Sequence, residues 1–111
     1  MRYQVRLTDD AAVDIEEIFL YVARNDSLSS AEAVLRKLED AIARLALQPN
    51  RGVHPQELLE LGIREYREVF FKPYRIIYRV IKRFVYVYLI ADGRRDMQSL
   101  LRRRLLEADR G

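Results

Sequence analysis

The chain predicts an α+β domain: an N-terminal strand, an α-helical hairpin, a three-stranded antiparallel meander and a short C-terminal helix, all within residues 1–111 as one unit. Three observations predict it. Apolar residues recur at the helical period of about 3.6 through residues 11–46. The period then drops to about 2 in three runs rich in Val, Ile, Tyr and Phe. A length of 111 residues supplies one modest core and not two.

Taken in order, Tyr3, Val5 and Leu7 alternate with Arg2, Gln4 and Arg6, the pattern of a half-buried strand. Thr8 follows as a helix cap, with Asp9 and Asp10 in the first turn, where negative charge suits the helix dipole. Ala11, Ile15, Ile18 and Val22 make the apolar stripe, widened by Ala12, Phe19 and Ala23, while Asp14, Glu17 and Arg24 are expected to face away. The run NDSLSS breaks this helix. Ser29 with Glu32 three residues later matches a capping box, and Val34, Leu38, Ala41 and Leu45 define a second amphipathic helix that Pro49 and Gly52 stop. So short a connection folds two helices into an antiparallel hairpin.

Beyond the loop PNRGVHPQELLELG come REYREVFF, YRIIYRVI and FVYVYLIA, separated by KP and KR, which predicts a meander with tight turns. In the middle strand Tyr74, Ile76, Tyr78 and Val80 share one face, which the helix hairpin should cover. Arg75, Ile77, Arg79 and Ile81 share the other, which the cost of burying unpaired arginine predicts to be open to water or to a partner. Arg67 on the preceding strand would extend that basic strip. Tyr74, Tyr78, Tyr86 and Tyr88 read as core and not as a stacking platform. Asp96 can cap a short closing helix with Leu100, Leu101 and Leu105 inward and Arg102, Arg103 and Arg104 around its rim. That triple is either a solvated face or a surface for a target or a membrane.

The chain is 50% hydrophobic and 33% charged, an ordinary balance for a globular domain. No apolar run approaches a membrane span, and MRYQVRLTDD lacks the apolar core of a secretory signal, so a cytoplasmic protein is expected. There is no cysteine and one histidine, His54, which argues against a metal or other cofactor and reads as a loop residue without chemical role. The net charge of +3 hides a division: residues 1–63 carry 7 Lys/Arg against 11 Asp/Glu, and residues 64–111 carry 13 against 6. The second part therefore suits an anionic partner.

The order of elements, with YREVFFKPYRIIYRV leading into VYVYLIADGRRDM and with YQVRLTDDAAVDIEEI at the start, resembles the toxins of the RelE/ParE superfamily of bacterial type II toxin–antitoxin modules. The likeness spans almost the whole chain and implies the RelE/ParE-like fold. Two branches imply different chemistry. RelE-like members cut mRNA on the ribosome, which requires groups that activate a 2′-hydroxyl and stabilise a charged phosphorane. On this sequence the cutting pattern retains Arg67, Arg75 and Arg95, but a second lysine is replaced by Val69 and a late tyrosine falls near Leu101.

The run GRRDM followed by a leucine-rich helix looks closer to the ParE-like branch, which implies a protein that poisons DNA gyrase on cleaved DNA without catalysis of its own. Target-binding candidates are then Arg79, Arg94 and Arg95, with Arg67 and Arg75 behind them. The competing reading is that these five pair with Glu65, Glu68 and Asp96 and merely hold the sheet together. The resemblance also implies a cognate, ParD-like antitoxin, whose tail would lay its leucines in a groove between the helix hairpin and the sheet. Ile18, Phe19, Val22 and Leu38 are candidates for its lining, against the alternative of core packing. A homodimer or larger toxin–antitoxin assembly is compatible with this reading, and neither sequence-specific DNA binding nor a membrane partner is expected. A degenerate toxin kept as a regulatory partner of the antitoxin is the third possibility.

Overall fold

The computed structural model describes residues 2–107. Strand β1 (Gln4–Leu7) leads into helices α1 (Asp9–Asn25) and α2 (Leu28–Ala43), the latter tightening into a 3₁₀ turn over Arg44–Ala46. A short helix α3 (Gln56–Leu59) interrupts the long loop, and β2 (Tyr66–Phe71), β3 (Tyr74–Ile81) and β4 (Phe84–Asp92) follow. Helix α4 (Met97–Leu101) closes the described chain and widens into a π-helical turn over Arg102–Leu106. The sheet order is β1-β4-β3-β2: the meander is antiparallel, and β1 adds in parallel to the outside of β4.

Local chemistry sets the ends of the helices. Thr8 accepts from the Ala11 N–H at 3.1 Å and starts α1, and Asp96 accepts from the Ser99 N–H at 3.2 Å and starts α4. Helix α2 begins earlier than the Ser29–Glu32 pair suggests. Ser27 has the extended backbone of a cap (φ −158°, ψ 161°) and accepts from the Ser30 N–H, which leaves Ser29 and Glu32 inside the helix on its exposed side. The two-residue β3–β4 turn places Lys82 at φ 56°, the left-handed geometry that the twist of a tight hairpin demands.

The hairpin of α1 and α2 covers the sheet face predicted for it. Leu38, Leu45, Ile76, Tyr78, Val85 and Val87 are fully buried there, each worth on the order of 1.5–3 kcal/mol. The other face differs from expectation, because only half of it is open. A β-bulge makes the difference: Tyr78 pairs with Val87 and Ile77 with Leu89, so Tyr88 is an extra residue and Leu89 turns to the second face. There Leu89 joins Ile77, Leu58, Met97, Leu100 and Leu101 in a second apolar cluster beneath α3 and α4. Among the four tyrosines of β3 and β4, Tyr78 is core, Tyr74 and Tyr88 pack against the two clusters, and Tyr86 belongs to neither.

Arg67 does not extend the strip of Arg75 and Arg79. It pairs with Tyr78 across β2 and β3, so it lies on the hairpin face, whereas Arg75 pairs with Phe70 and Arg79 with Tyr66 on the second face. Its Nη1 donates to the Gly52 carbonyl at 2.8 Å. The same loop is held by Tyr78, whose hydroxyl donates to the Pro49 carbonyl at 2.7 Å and accepts from the Gly52 N–H at 3.0 Å. Gly52 is required here: a Cβ would lie 2.6 Å from that hydroxyl and 2.7 Å from the Glu68 carbonyl oxygen. Val53 and Glu68 exchange backbone hydrogen bonds, so the loop covers part of the outer edge of β2.

Candidate functional site

The arginines of the second part divide into those held inside the fold and those turned outward. Arg75 is the most constrained. It lies between two carboxylates, donating from Nη1 and Nη2 to Glu57 at 2.9 and 2.7 Å and from Nε to Glu68 at 2.6 Å. Its stem runs beneath Gly93, where an added Cβ would lie 2.9 Å from Arg75 Cδ. The glycine of GRRDM thus gives the pinned side chain its path. Burial pushes the Glu68 carboxyl above its ordinary pKa despite the nearby guanidinium, whereas the Arg75 hydrogen bonds hold Glu57 below its own. The competing structural reading identified Glu68 as a partner, and the fold adds Glu57 from α3.

A second internal clamp was not legible. Asp14, expected to face away, is 6% exposed because it lies against β4 and Arg104. Its Oδ2 accepts from the Ile90 N–H at 3.0 Å, which belongs to the part of β4 that β1 does not reach, and its Oδ1 accepts from Arg104. Arg104 also donates to the Tyr88 carbonyl at 3.1 Å, so the third arginine of the RRR run belongs to the fold and not to the rim. Burial raises the Asp14 pKa, opposed by the Arg104 bond.

Arg94, Arg95, Arg102 and Arg103 are turned outward around the β4–α4 turn. Arg94 makes a surface pair with Asp92, with Nη2 at 2.6 Å from Oδ2 and a side chain 81% exposed. The Arg94 hydrogen bond lowers the Asp92 pKa, with Arg95 adding its field. Asp96 is held low first by Ser99 and then by the fields of Arg103 and Arg102. Beside this turn, Glu17, Ile18, Tyr21, Tyr74, Arg94 and Arg95 line a cleft of about 350 Å³ between α1 and the end of β4. Arg79 lies elsewhere, its guanidinium carbon 5.8 Å from the Tyr66 ring centroid.

The four apolar candidates do not form one groove. Leu38 is wholly buried and offers no surface, Ile18 lines the cleft just described, and Val22 is half-buried. Phe19 instead lines an apolar hollow of about 400 Å³ between α1 and α2, with Ala12, Ile15, Leu20 and Leu35. The candidates thus divide between the cleft where hairpin meets sheet, at Ile18, and the hollow within the hairpin, at Phe19. Leu20, 42% exposed at the edge of that hollow, is the apolar surface residue that marks it. His54 places Nδ1 3.0 Å from the Tyr66 carbonyl oxygen. Among the described residues no three carboxylates or histidines converge as a metal site, and no helix is long and apolar enough to cross a membrane.

Comparison with known proteins gives this geometry a context. Residues 5–97 match the family described as ParE toxin of type II toxin–antitoxin system, parDE. Toxin ParE3 of Caulobacter vibrioides is 28% identical over 88 residues, spanning 79% of this chain and 84% of that protein. A chain of the chromosomal ParDE TA system from P. aeruginosa shares the fold with a TM-score of 0.70 at 17% identity, over 82% of this chain and 96% of that one.

Proposed function

We propose, from the premise that this chain belongs to the ParE toxin family of type II toxin–antitoxin systems, that it inhibits DNA gyrase and traps it on cleaved DNA. A ParD-like antitoxin neutralises it. The observation that carries this reading is the division among the arginines. Arg94 and Arg95 stand outward on the glycine turn: Arg94 is held only by its surface pair with Asp92, which a partner's carboxylate or phosphate can replace, and Arg95 is exposed beside it. The constellation a nuclease would use is dispersed: Arg67 serves loop carbonyls on one sheet face, Arg75 is clamped between Glu57 and Glu68 on the other, and Arg95 is exposed at the turn. The antitoxin's apolar residues fit the hollow at Phe19, and its acidic ones the outward arginines.

The deciding experiment is ATP-dependent supercoiling of relaxed plasmid by purified gyrase, scoring both supercoiling and linear DNA. The full chain should inhibit supercoiling and leave linear product, and an Arg94→Gln/Arg95→Gln variant should need about tenfold more protein, the loss of one charge-assisted contact's worth of binding. Antitoxin should restore supercoiling, and Phe19→Asp should resist that rescue. Folded wild-type protein without effect on gyrase would overturn the reading, and ribosome-bound mRNA would be the next substrate.

A further inference from the structure

Half of the second sheet face lies beyond the cluster beneath α3 and α4, and across it arginines alternate with aromatic rings. Register sets the row: Arg6 on β1 lies beside Tyr86 on β4, Tyr86 beside Arg79 on β3, and Arg79 beside Tyr66 on β2. Toward the β3–β4 turn the next row holds Gln4, Phe84 and Ile81, with Lys82 and Arg83 exposed at the turn itself. The Phe84 and Tyr86 rings stack with centroids 5.8 Å apart and planes inclined by 26°. Arg6 sets its guanidinium carbon 5.0 Å from the Phe84 centroid.

Neither ring belongs to an apolar cluster, and among the described residues neither Arg6 nor Arg79 pairs with a carboxylate. Arg6 donates to the Gln4 side chain at 3.0 Å. At Tyr66 and Arg79 the row borders a cavity of about 360 Å³, also lined by Thr8, Asp10, Tyr88, Arg104 and Leu105. Stacked rings outside any core, beside guanidinium groups without an acidic partner, are a surface built for planar groups that carry negative charge.

We propose that this half-face binds an unpaired nucleic-acid strand, its phosphates drawing Arg6 off the Phe84 ring and meeting Arg79, and its bases stacking on the Phe84–Tyr86 pair. Aromatic stacking accepts any base and guanidinium–phosphate pairing ignores the sugar, so DNA and RNA strands should bind alike. A duplex hides its base faces and cannot use the rings. An acidic peptide could use the arginines but would leave the ring pair idle. The surface is separate from the Arg94–Arg95 turn, so this proposal and the gyrase reading can fail independently.

The test is fluorescence anisotropy of the full chain, without gyrase, against labelled oligo-dT and oligo-rU of about twelve nucleotides, within the span that stacking platforms cover. Both should bind, with a duplex of equal length about tenfold weaker. Phe84→Leu and Tyr86→Leu keep apolar bulk in the strand, and each should weaken binding about five- to tenfold, the worth of one stacked base. Arg6→Gln should reduce the logarithmic salt slope by about 0.7. Arg94→Gln, at the other site, should stay within about twofold of wild type. Circular dichroism and a thermal midpoint near wild type certify each variant's fold. Absence of binding, duplex binding as tight as single strands, or leucine variants that bind like wild type would each overturn the proposal. So would equal competition by polyglutamate, which would assign the arginines to an acidic protein segment.

Discussion

The two faces of the sheet are held by different physics. On one, α1 and α2, of 17 and 16 residues, bury an apolar stripe against Ile76, Tyr78, Val85 and Val87. On the other, α3 and α4 have only 4 and 5 residues, too few to cover the sheet by apolar area alone. Charge clamps supplement them there: Glu57 of α3 grips Arg75, and Arg104 beyond α4 grips Asp14 of α1. The difference teaches that an arginine in a strand can serve as a fastener for a short helix, so a basic strip read from sequence overstates the charge left for a partner.

The largest effect should come from the hairpin side. Leu38→Ala creates a cavity in the continuous core and should cost about 2–5 kcal/mol in urea unfolding, with both faces lost in one transition. If near-ultraviolet signals of the second face survive past that transition, the faces are separate units and the comparison breaks.

Next comes the clamp. Arg75→Ala strands the buried Glu68 and should cost about 3 kcal/mol near neutral pH, checked by the same titration. The sign of its pH dependence sharpens the point. Glu68 already has its folded-state pKa raised by burial, and losing Arg75 raises it further, so lowering the pH toward 4.5 protonates Glu68 and narrows the gap to wild type. A gap that widens on acidification would mean that Glu68 is not the cost.

The smallest effect belongs to the less buried partner. Arg75 lowers the Glu57 pKa below its ordinary 4.5, so this carboxylate contributes stability above that pH and loses it as pH falls through the folded-state value. Glu57→Gln should remove about 0.5–1 kcal/mol at pH 7, discounted because the side chain is 26% exposed, and should flatten the acid limb of the stability profile. Stability curves at pH 3 to 7 would read both.

These contrasts also explain what was legible beforehand. Thr8 and Asp96 were readable as caps because a cap and the N–H that donates to it lie three residues apart. The amphipathic stripe of α1 was readable for the same reason, yet Asp14 was misplaced, because periodicity cannot say that an acid on the flank of a helix will meet an unpaired strand N–H 76 residues later. Arg67 was misplaced by a pairing register, and although Leu100, Leu101 and Leu105 were expected inward, their partner Leu89 reaches the second face only through the bulge at Tyr88.

The sequence by itself determined the order and type of the elements apart from helix α3 in the long loop, the helix hairpin against one sheet face, and a second part whose excess of arginine suits an anionic partner. Those features are written in spacings of a few residues and in composition. Only the tertiary structure decided which arginines are free. Arg104 finds Asp14 from 90 residues away and Arg75 finds Glu57 from 18, while Arg94 and Arg95 remain outward at the turn. The physical reason is that a guanidinium is fixed by whichever carboxylate or carbonyl the packed chain brings within hydrogen-bonding distance, and that proximity is a property of the fold.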